Sequence, residues 1–344
     1  LDEIWNAIVR FETYPVDKNE HFFEVEMEDI NKENIDLLDT NKVCEYLSFV
    51  SPVEYKNAFI LRKQIYDHAE KINYRIDEYI VKVNGKQIFK EYTTKLKEQS
   101  GNNLKNYDEI SRLEFKDFYD DEGNLLAWMW IGLSRFEKQI PKINQMRGLR
   151  LRSANIQLGN DDTLTFLFKE SRGNYYFVGE VFAVSKTLIP NSQRDYFNEN
   201  ETRVAFEDQL RVYFFDVLHK LYTNANQMKN AYKRQEEYIN LANEFKKKSE
   251  ENGFVDEESR QKLQFEVDKA KNEAEAARKK ISKFDEFDSN SPLAEVHKSI
   301  GKKFNAEKLK KKAEQTKPIE ISDDQKKKPF ITENMSKLTK SERK

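Results

Sequence analysis

The sequence predicts an α/β domain (mixed α and β) that leads into an antiparallel helical hairpin and ends in a polar, disordered tail. Three observations carry this. Up to about residue 200, alternating or wholly apolar strand-like segments are separated by turn signals and short helical stripes. From Thr202 onward the apolar residues fall at helical spacing, then settle into a 4-3-4-3 seam broken at Gly253. After residue 286, lysine runs mix with Ser, Asp, Asn and Pro, and little remains that could build a core.

Residues 1–12 place Ile4, Ile8 and Phe11 on one face of a short helix. In His21–Met27, Phe23, Val25 and Met27 alternate with Glu24 and Glu26, as in a half-buried strand. Asp39 and Thr40 precede a helix whose apolar residues are Val43, Tyr46, Leu47 and Val50, and Pro52 ends it. A second helix is expected over 54–71. Residues 75–92 read as a hairpin about Asn84-Gly85, because a two-residue hairpin turn needs positive φ at both positions. The polar residues 93–108 read as an exposed loop. Residues 112–119 alternate, 120–124 turn, and 125–133 are almost wholly apolar, as in a strand covered on both faces. Residues 148–158 alternate again, 163–168 suggest one helical turn, and 175–184 form another buried strand. The segment Pro190–Phe197 closes the region.

The helical part opens with a stripe of Phe206, Leu210, Phe214, Val217 and Leu221. The seam continues through Ala225, Met228, Tyr232, Gln235, Ile239 and Ala242. A second seam runs through Leu263, Val267, Ala270, Ala274, Ala277, Ile281 and Phe284. Lys246–Lys248 stand before Gly253 and Asp256–Glu258 after it, the signs that a helix C-terminus and a new N-terminus favour. Asp256 is the candidate cap. Two arms of roughly 30 residues would each be about 45 Å long. The competing arrangement is one continuous rod that dimerises in parallel.

Composition narrows the function classes. Charged residues make up 35% of the 344, yet 59 basic and 61 acidic residues nearly cancel. Such mixed charge describes solvated helix faces better than a wholly basic nucleic-acid binder. Residues 286–344 carry fifteen basic and ten acidic residues, a net +5, which leaves −7 for the rest. The ten glycines include no Gly-x-Gly pair, and no Gly-Lys-Ser/Thr occurs, so dinucleotide and Walker-type phosphate loops are absent from the sequence. The single Cys44 excludes an internal disulfide and a thiolate zinc site, and suits a reducing, cytoplasmic setting. His21, His68, His219 and His297 make no metal-spacing motif. No apolar run approaches the roughly 18 residues that span a bilayer. Leu rather than Met at position 1 points to an excised fragment, whose missing motifs would lie upstream.

Few constellations carry chemistry. Asp120-Asp121-Glu122-Gly123 lacks the alternating ligands of a calcium loop and reads as a hairpin turn. Arg150 and Arg152 share one face of a strand, opposite Leu149 and Leu151, where two guanidinium groups can bind a phosphate or pair with carboxylates. At Pro190–Phe197, Asn191 and Asp195 can satisfy local backbone donors and Arg194 can anchor the turn. The lysine-rich tail could touch nucleic acid or an acidic partner, but it lacks aromatics to stack bases.

Taken in order, several segments resemble one family. They are residues 21–30, 43–55 and the 79–92 hairpin, then Gly148–Arg152, Asn155–Gly159, Phe177–Glu180 and Pro190–Phe197. Together they resemble bacterial ATP-binding proteins of the GHKL superfamily, nearest the heat-shock-protein-90/MORC-type branch. The resemblance covers about residues 20–200. It implies that residues 1–50 are the last elements of an N-terminal ATP-binding domain and that 51–200 are a transducer (middle) domain with a left-handed crossover. Residues 201–285 would follow as the coiled-coil hairpin and 286–344 as the basic tail. A basic residue of the transducer would reach the γ-phosphate, since a cation there stabilises transferring charge. Gln145-Met146-Arg147 resembles the Gln-x-Lys loop that does this in gyrase-type members, and Arg150 and Arg152 are rival candidates. At the corner, Pro190, Asn191, Arg194 and Asp195 match the family pattern, whereas Ser192 and Gln193 replace its Ala and first Arg.

The resemblance implies the C-terminal part of an ATP-gated, dimer-closing clamp. ATP and Mg2+ would be held mostly upstream, the client would be protein or DNA, and this fragment alone would be inactive, with no catalytic residue and no metal ligand of its own. Two other classes stay open: a non-enzymatic coiled-coil scaffold, and a nucleic-acid-binding module that uses the basic tail.

Overall fold

The computed structural model describes residue 15 and residues 25–27, 30–251 and 253–315. The expected helix over 1–12 lies outside the described residues, as does most of the expected strand over 21–27. Residues 25–27 are exposed and belong to no strand. The chain divides into two compact units, Leu1–Val43 and Cys44–Lys344. The first holds a 3-10 turn, Lys32–Leu38. Helix α1 (Thr40–Val50) starts in the first unit and continues in the second. Asp39 caps it, its carboxylate accepting from the amides of Asn41 and Lys42 at 2.9 and 3.4 Å. Its buried residues are Ser48 and Phe49, and Tyr46, expected on the apolar face, is exposed.

Residues 52–60 depart from the expected helix. Val53, Tyr55 and Phe59 are each needed in the core, and Tyr55 forms a parallel bridge with Lys90. Helix α2 therefore starts only at Arg62 and runs to Lys71. The Asn84-Gly85 turn forms as expected, with φ of 49° and 78°, but the strands expected over 75–92 shrink to β1 (Lys82–Val83) and β2 (Lys86–Gln87). The expected loop over 93–108 is instead a ribbon of β3 (Lys95–Ser100) and β4 (Asn103–Glu109). It buries little beyond Leu96 and Asp108, so it carries no apolar alternation by which to read it.

Strands β5 (Arg112–Tyr119), β6 (Leu125–Leu133), β7 (Gly148–Ser153), β8 (Ile156–Leu158) and β9 (Val178–Ala183) form one mixed sheet. Its order is β5-β6-β9-β7-β8, with β7 and β9 parallel and every other pair antiparallel. Residues 148–158 are thus a hairpin, and Ala154 and Asn155 turn it with φ of 47° and 59°. Period-2 alternation sorts the faces. Ala127, Met129, Ile131, Leu149, Leu151 and Val181 face one core. Trp128, Trp130, Val178 and Phe182 face the other, with Phe49, Tyr55, Phe59 and Tyr92.

The first core is continuous with the helices, so the boundary expected at residue 200 falls inside the second unit. Helix α3 (Glu201–Tyr213) is capped by Asn200, which accepts from the Arg203 amide at 2.8 Å and donates to the Thr187 carbonyl at 2.7 Å. Asn200→Ala removes both bonds and is expected to cost about 1–2 kcal/mol, read as a lower urea midpoint at unchanged slope. A π-turn (Phe214–Leu218) then passes into helix α4 (His219–Glu250). The π-turn adds a residue, so Leu218 takes the buried place expected of Val217, which is half-buried.

The break at Gly253 and the Asp256 cap are both present, with Asp256 accepting from the Ser259 amide at 2.7 Å. Helix α5 (Glu257–Asp285) returns along α4, bringing Phe254 to Phe245 and Glu273 to Arg234. The α4 seam is buried at all seven positions. That of α5 is buried from Val267 to Phe284, with Leu263 partly so.

The tail departs most from its sequence reading. Two helices, α6 (Pro292–Lys303) and α7 (Ala306–Gln315), follow the hairpin. Val296, Ile300, Phe304 and Leu309 are buried, and Phe304 stacks on Tyr232 of α4 at 5.5 Å. Lys298, Lys302, Lys303, Lys308, Lys311 and Lys312 are exposed and disguise this amphipathic spacing. Residues 316–344 lie outside the described residues. No helix among the described residues is long and apolar enough to cross a membrane.

Candidate functional site

Arg150 and Arg152 share one face of β7, as the spacing requires, and that face is buried. Arg152 is wholly enclosed. Its guanidinium donates to the Glu180 carboxylate, to the Asn155 carbonyl at 2.9 Å and to the Phe49 carbonyl at 2.7 Å. The parallel register of β7 and β9 sets Arg152 one pleat from Glu180, which lies opposite Arg150.

Glu180 is the hub. One carboxylate oxygen accepts from Arg152 and from the Tyr92 hydroxyl at 3.1 Å. The other accepts from the Tyr55 hydroxyl, from Trp130 Nε1 at 3.2 Å and from the Lys90 ammonium at 3.4 Å. Lys90 also donates to Asn155 Oδ1 at 2.7 Å, and Asn155 donates to the Asp77 carbonyl at 2.6 Å. That double hold fixes Asn155 in its left-handed turn conformation. Lys90, Arg152, Asn155 and Glu180 are all at 0% exposure.

Two cations thus face one carboxylate. Burial alone would push the Glu180 carboxyl up, but Arg152, Lys90 and the Tyr55 hydroxyl hold it at about 2. Burial and the neighbouring Arg152 push Lys90 down to about 7, against the pull of Glu180. Every member is bonded within the cluster, which fits a structural keystone that joins α1, Tyr55, the 79–92 segment, the β7–β8 turn and β9.

The other expected residues lie at the N-terminal end of β7. Arg150 is 7% exposed, donates to Gln157 Oε1 at 2.9 Å and to the Gln145 carbonyl, and lies over the Phe49 ring at 4.3 Å. Gln145 is exposed and holds Arg150 through its backbone. Arg147 differs. Its Nε meets Asp161 Oδ2 at 3.3 Å and its guanidinium lies over the Tyr175 ring at 4.2 Å. No described group takes its two terminal nitrogens, so a planar fork remains for an anion.

The Pro190–Phe197 corner is closed by its own groups. Pro190 bridges Phe197, Asn191 Nδ2 donates to Asp195 Oδ1 at 2.6 Å, and the Asp195 amide returns to Asn191 Oδ1 at 3.3 Å. Arg194 anchors the turn through its backbone, with φ of 54° and its carbonyl accepting from the Gly159 amide at 2.9 Å.

Sequence reasoning did not single out Lys90, Glu180, Tyr55, Tyr92, Trp130 or Asn155. A signal was present: Glu180 is the single charge in the apolar run 175–184, in register with inward Val178 and Phe182. Among the described residues, no group of three or more His, Cys, Asp or Glu side chains could hold a metal ion. Compared with protein-family models, with curated proteins and with solved structures, the chain has no match.

Proposed function

We propose that the chain is the transducer and coiled-coil part of an ATP-gated GHKL ATPase, a heat-shock-protein-90-like chaperone or a MORC-like DNA clamp. On this reading the β5–β9 sheet and its 154–177 connection are the transducer module with a left-handed crossover. The α4–α5 pair is the coiled-coil hairpin, and the protein acts as a cytoplasmic homodimer that closes on ATP. An upstream domain would hold ATP and magnesium. When bound, ATP supplies the phosphoryl group whose charge a cation must meet.

The observation that carries the reading is the state of Arg147. Of the three candidate arginines, Arg152 and Arg150 are engaged by Glu180, Gln157 and backbone carbonyls. Arg147 is oriented by Asp161 and Tyr175 and keeps its fork for a terminal phosphate. It stands at the entry to β7, whose leucines lie in the core shared with the helices, so a contact made there is tied to the hairpin by packing.

ATP turnover by the full-length gene product tests this. Arg147→Ala is expected to lower kcat about 100-fold with little change in KM, because the cation acts where charge develops. Unchanged turnover would overturn the assignment and favour the non-enzymatic scaffold. An upstream sequence without an Asn-bearing acidic helix and a Gly-rich lid would do the same.

A further inference from the structure

The 14 residues between β6 and β7 form a loop, 134–147, that ends at Arg147. Its other end is held from β4 and from the helices. Phe136 adopts the left-handed conformation, with φ of 50°, while its ring is buried and edge-on to Phe177 at 5.3 Å. A phenylalanine does not take that conformation without compensation. The Ser134 hydroxyl accepts from the Phe136 amide at 3.1 Å, and the Phe136 carbonyl accepts from the ammonium of Lys229 on α4.

Lys229 is 5% exposed, so its charge has been taken out of water to reach one carbonyl. Burial pushes its ammonium down to about 8, while Glu137 and Asp108 favour the charged form and Lys303 and Lys233 oppose it. The next loop residue, Glu137, pairs with Lys303 of α6 at 2.8 Å. Farther along, Asn144 grips the β3 backbone at Lys97 through two bonds of 2.8 Å each. Asp108 of β4 also accepts from the Arg135 and Glu137 amides at 3.3 and 3.2 Å, so the loop is fixed to the ribbon at its start and again at Asn144, and to the helices through Phe136 and Glu137, with Arg147 at its end.

We propose that Lys229 is a positioning residue: by holding the Phe136 carbonyl, helix α4 sets the path of the 134–147 loop and so the placement of Arg147. The proposal rests on the reading of Arg147 as an anion contact. It adds a direct polar route from the helical hairpin to that contact, beside the packed core.

Amide hydrogen exchange on the 344-residue chain tests the tether. Lys229→Met keeps the stem and removes the charge. It is expected to speed exchange across 135–147 by about tenfold or more, as loss of a hydrogen bond to a charged group implies, with β6, β7 and β9 unchanged. Lys303→Ala, at a half-exposed site that leaves the core intact, is expected to give a smaller acceleration in the same segment, about threefold. It decides the matter if Lys229→Met does not fold. Unchanged exchange in the folded variants overturns the tether.

ATP turnover in the full-length protein tests the consequence. Lys229→Met is expected to lower kcat rather than raise KM, to add nothing to Arg147→Ala, and to be partly rescued by Lys229→Arg. A looser loop with unchanged turnover, in a protein that Arg147→Ala disables, overturns the positioning role alone. An Arg147→Ala protein with full turnover overturns the reading beneath it. The two failures are thereby distinguished.

Discussion

Glu180→Gln is expected to destabilise the second unit by about 3–5 kcal/mol, the cost of leaving a buried cation without its counter-charge. The substitution nearly preserves volume, so the loss is electrostatic. Glu180 is the carboxylate shared by Arg152 and Lys90, both at 0% exposure. The glutamine amide can still accept from Tyr55 or Trp130, but its NH2 group would face the donors of Arg152 or Tyr92. Urea unfolding at pH 7 measures this, and a cost below about 1 kcal/mol would show that the carboxylate is not the compensating charge.

The pH dependence separates the two partners. The folded Glu180 carboxyl is held at about 2, below its ordinary value, so its contribution is present at neutral pH and is lost as pH falls from the ordinary carboxylate range toward 2. Glu180→Gln removes that part of the acid sensitivity. Lys90 has the opposite sign from an ordinary ion-paired lysine. Its folded value of about 7 lies below the unfolded one, so the unfolded chain binds more protons above pH 7 and stability rises between about 7 and 10.5. Removing the carboxylate lowers Lys90 further, and the rise should then begin at lower pH.

Why a fold would keep such a cluster follows from what it joins. A buried ion pair is no better for stability than apolar packing. This one, however, fixes the C-terminal end of α1 through the Phe49 carbonyl, the hairpin through Lys90, and a turn without glycine through Asn155. Wrong registers would leave these charges unpaired. The benefit is in uniqueness of structure, which Glu180→Gln would erode together with stability.

Periodicity made much of this architecture legible. The apolar run 125–133, the Asn84-Gly85 turn and the Gly253 break with its Asp256 cap are local signals, and each element stands where its signal put it. Three readings failed for physical reasons. The β3–β4 ribbon has no buried face to alternate. Residues 52–60 carry helix-compatible residues, but tertiary contacts at Tyr55 and Phe59 draw them into one bridge and a turn. Across 292–315, seven lysines outnumber the four buried apolar residues, Val296, Ile300, Phe304 and Leu309. The ion cluster was half visible. Alternation put Arg150 and Arg152 on one face, but that a carboxylate meets Arg152 while Arg150 meets Gln157 and a backbone carbonyl depended on long-range register and turn geometry, which no local spacing encodes.

The β6–β9 pairing explains the second large effect, at the residue before the hub. Gly179→Ala is expected to cost about 3 kcal/mol or more, although the glycine has no positive φ and alanine is compatible with its backbone. The requirement is space. A Cβ at Gly179 would stand 2.2 Å from the Trp130 carbonyl oxygen, 3.2 Å from Ile131 Cα and 3.0 Å from Leu149 Cδ2. The first two atoms are backbone of β6, which pairs with β9 at Ile131 and Gly179 and cannot retreat without opening the ladder. Widening it would also move Trp130 Nε1 from Glu180. Gly123→Ala provides the contrast. It sits at φ of 82° in the β5–β6 turn with nothing within 4 Å of a new Cβ, so it should cost only the left-handed penalty, about 1–2 kcal/mol. Urea midpoints of the two variants should therefore rank opposite to their backbone conformations. A Gly179→Ala protein as stable as Gly123→Ala would mean that β6 and β9 do not approach this closely.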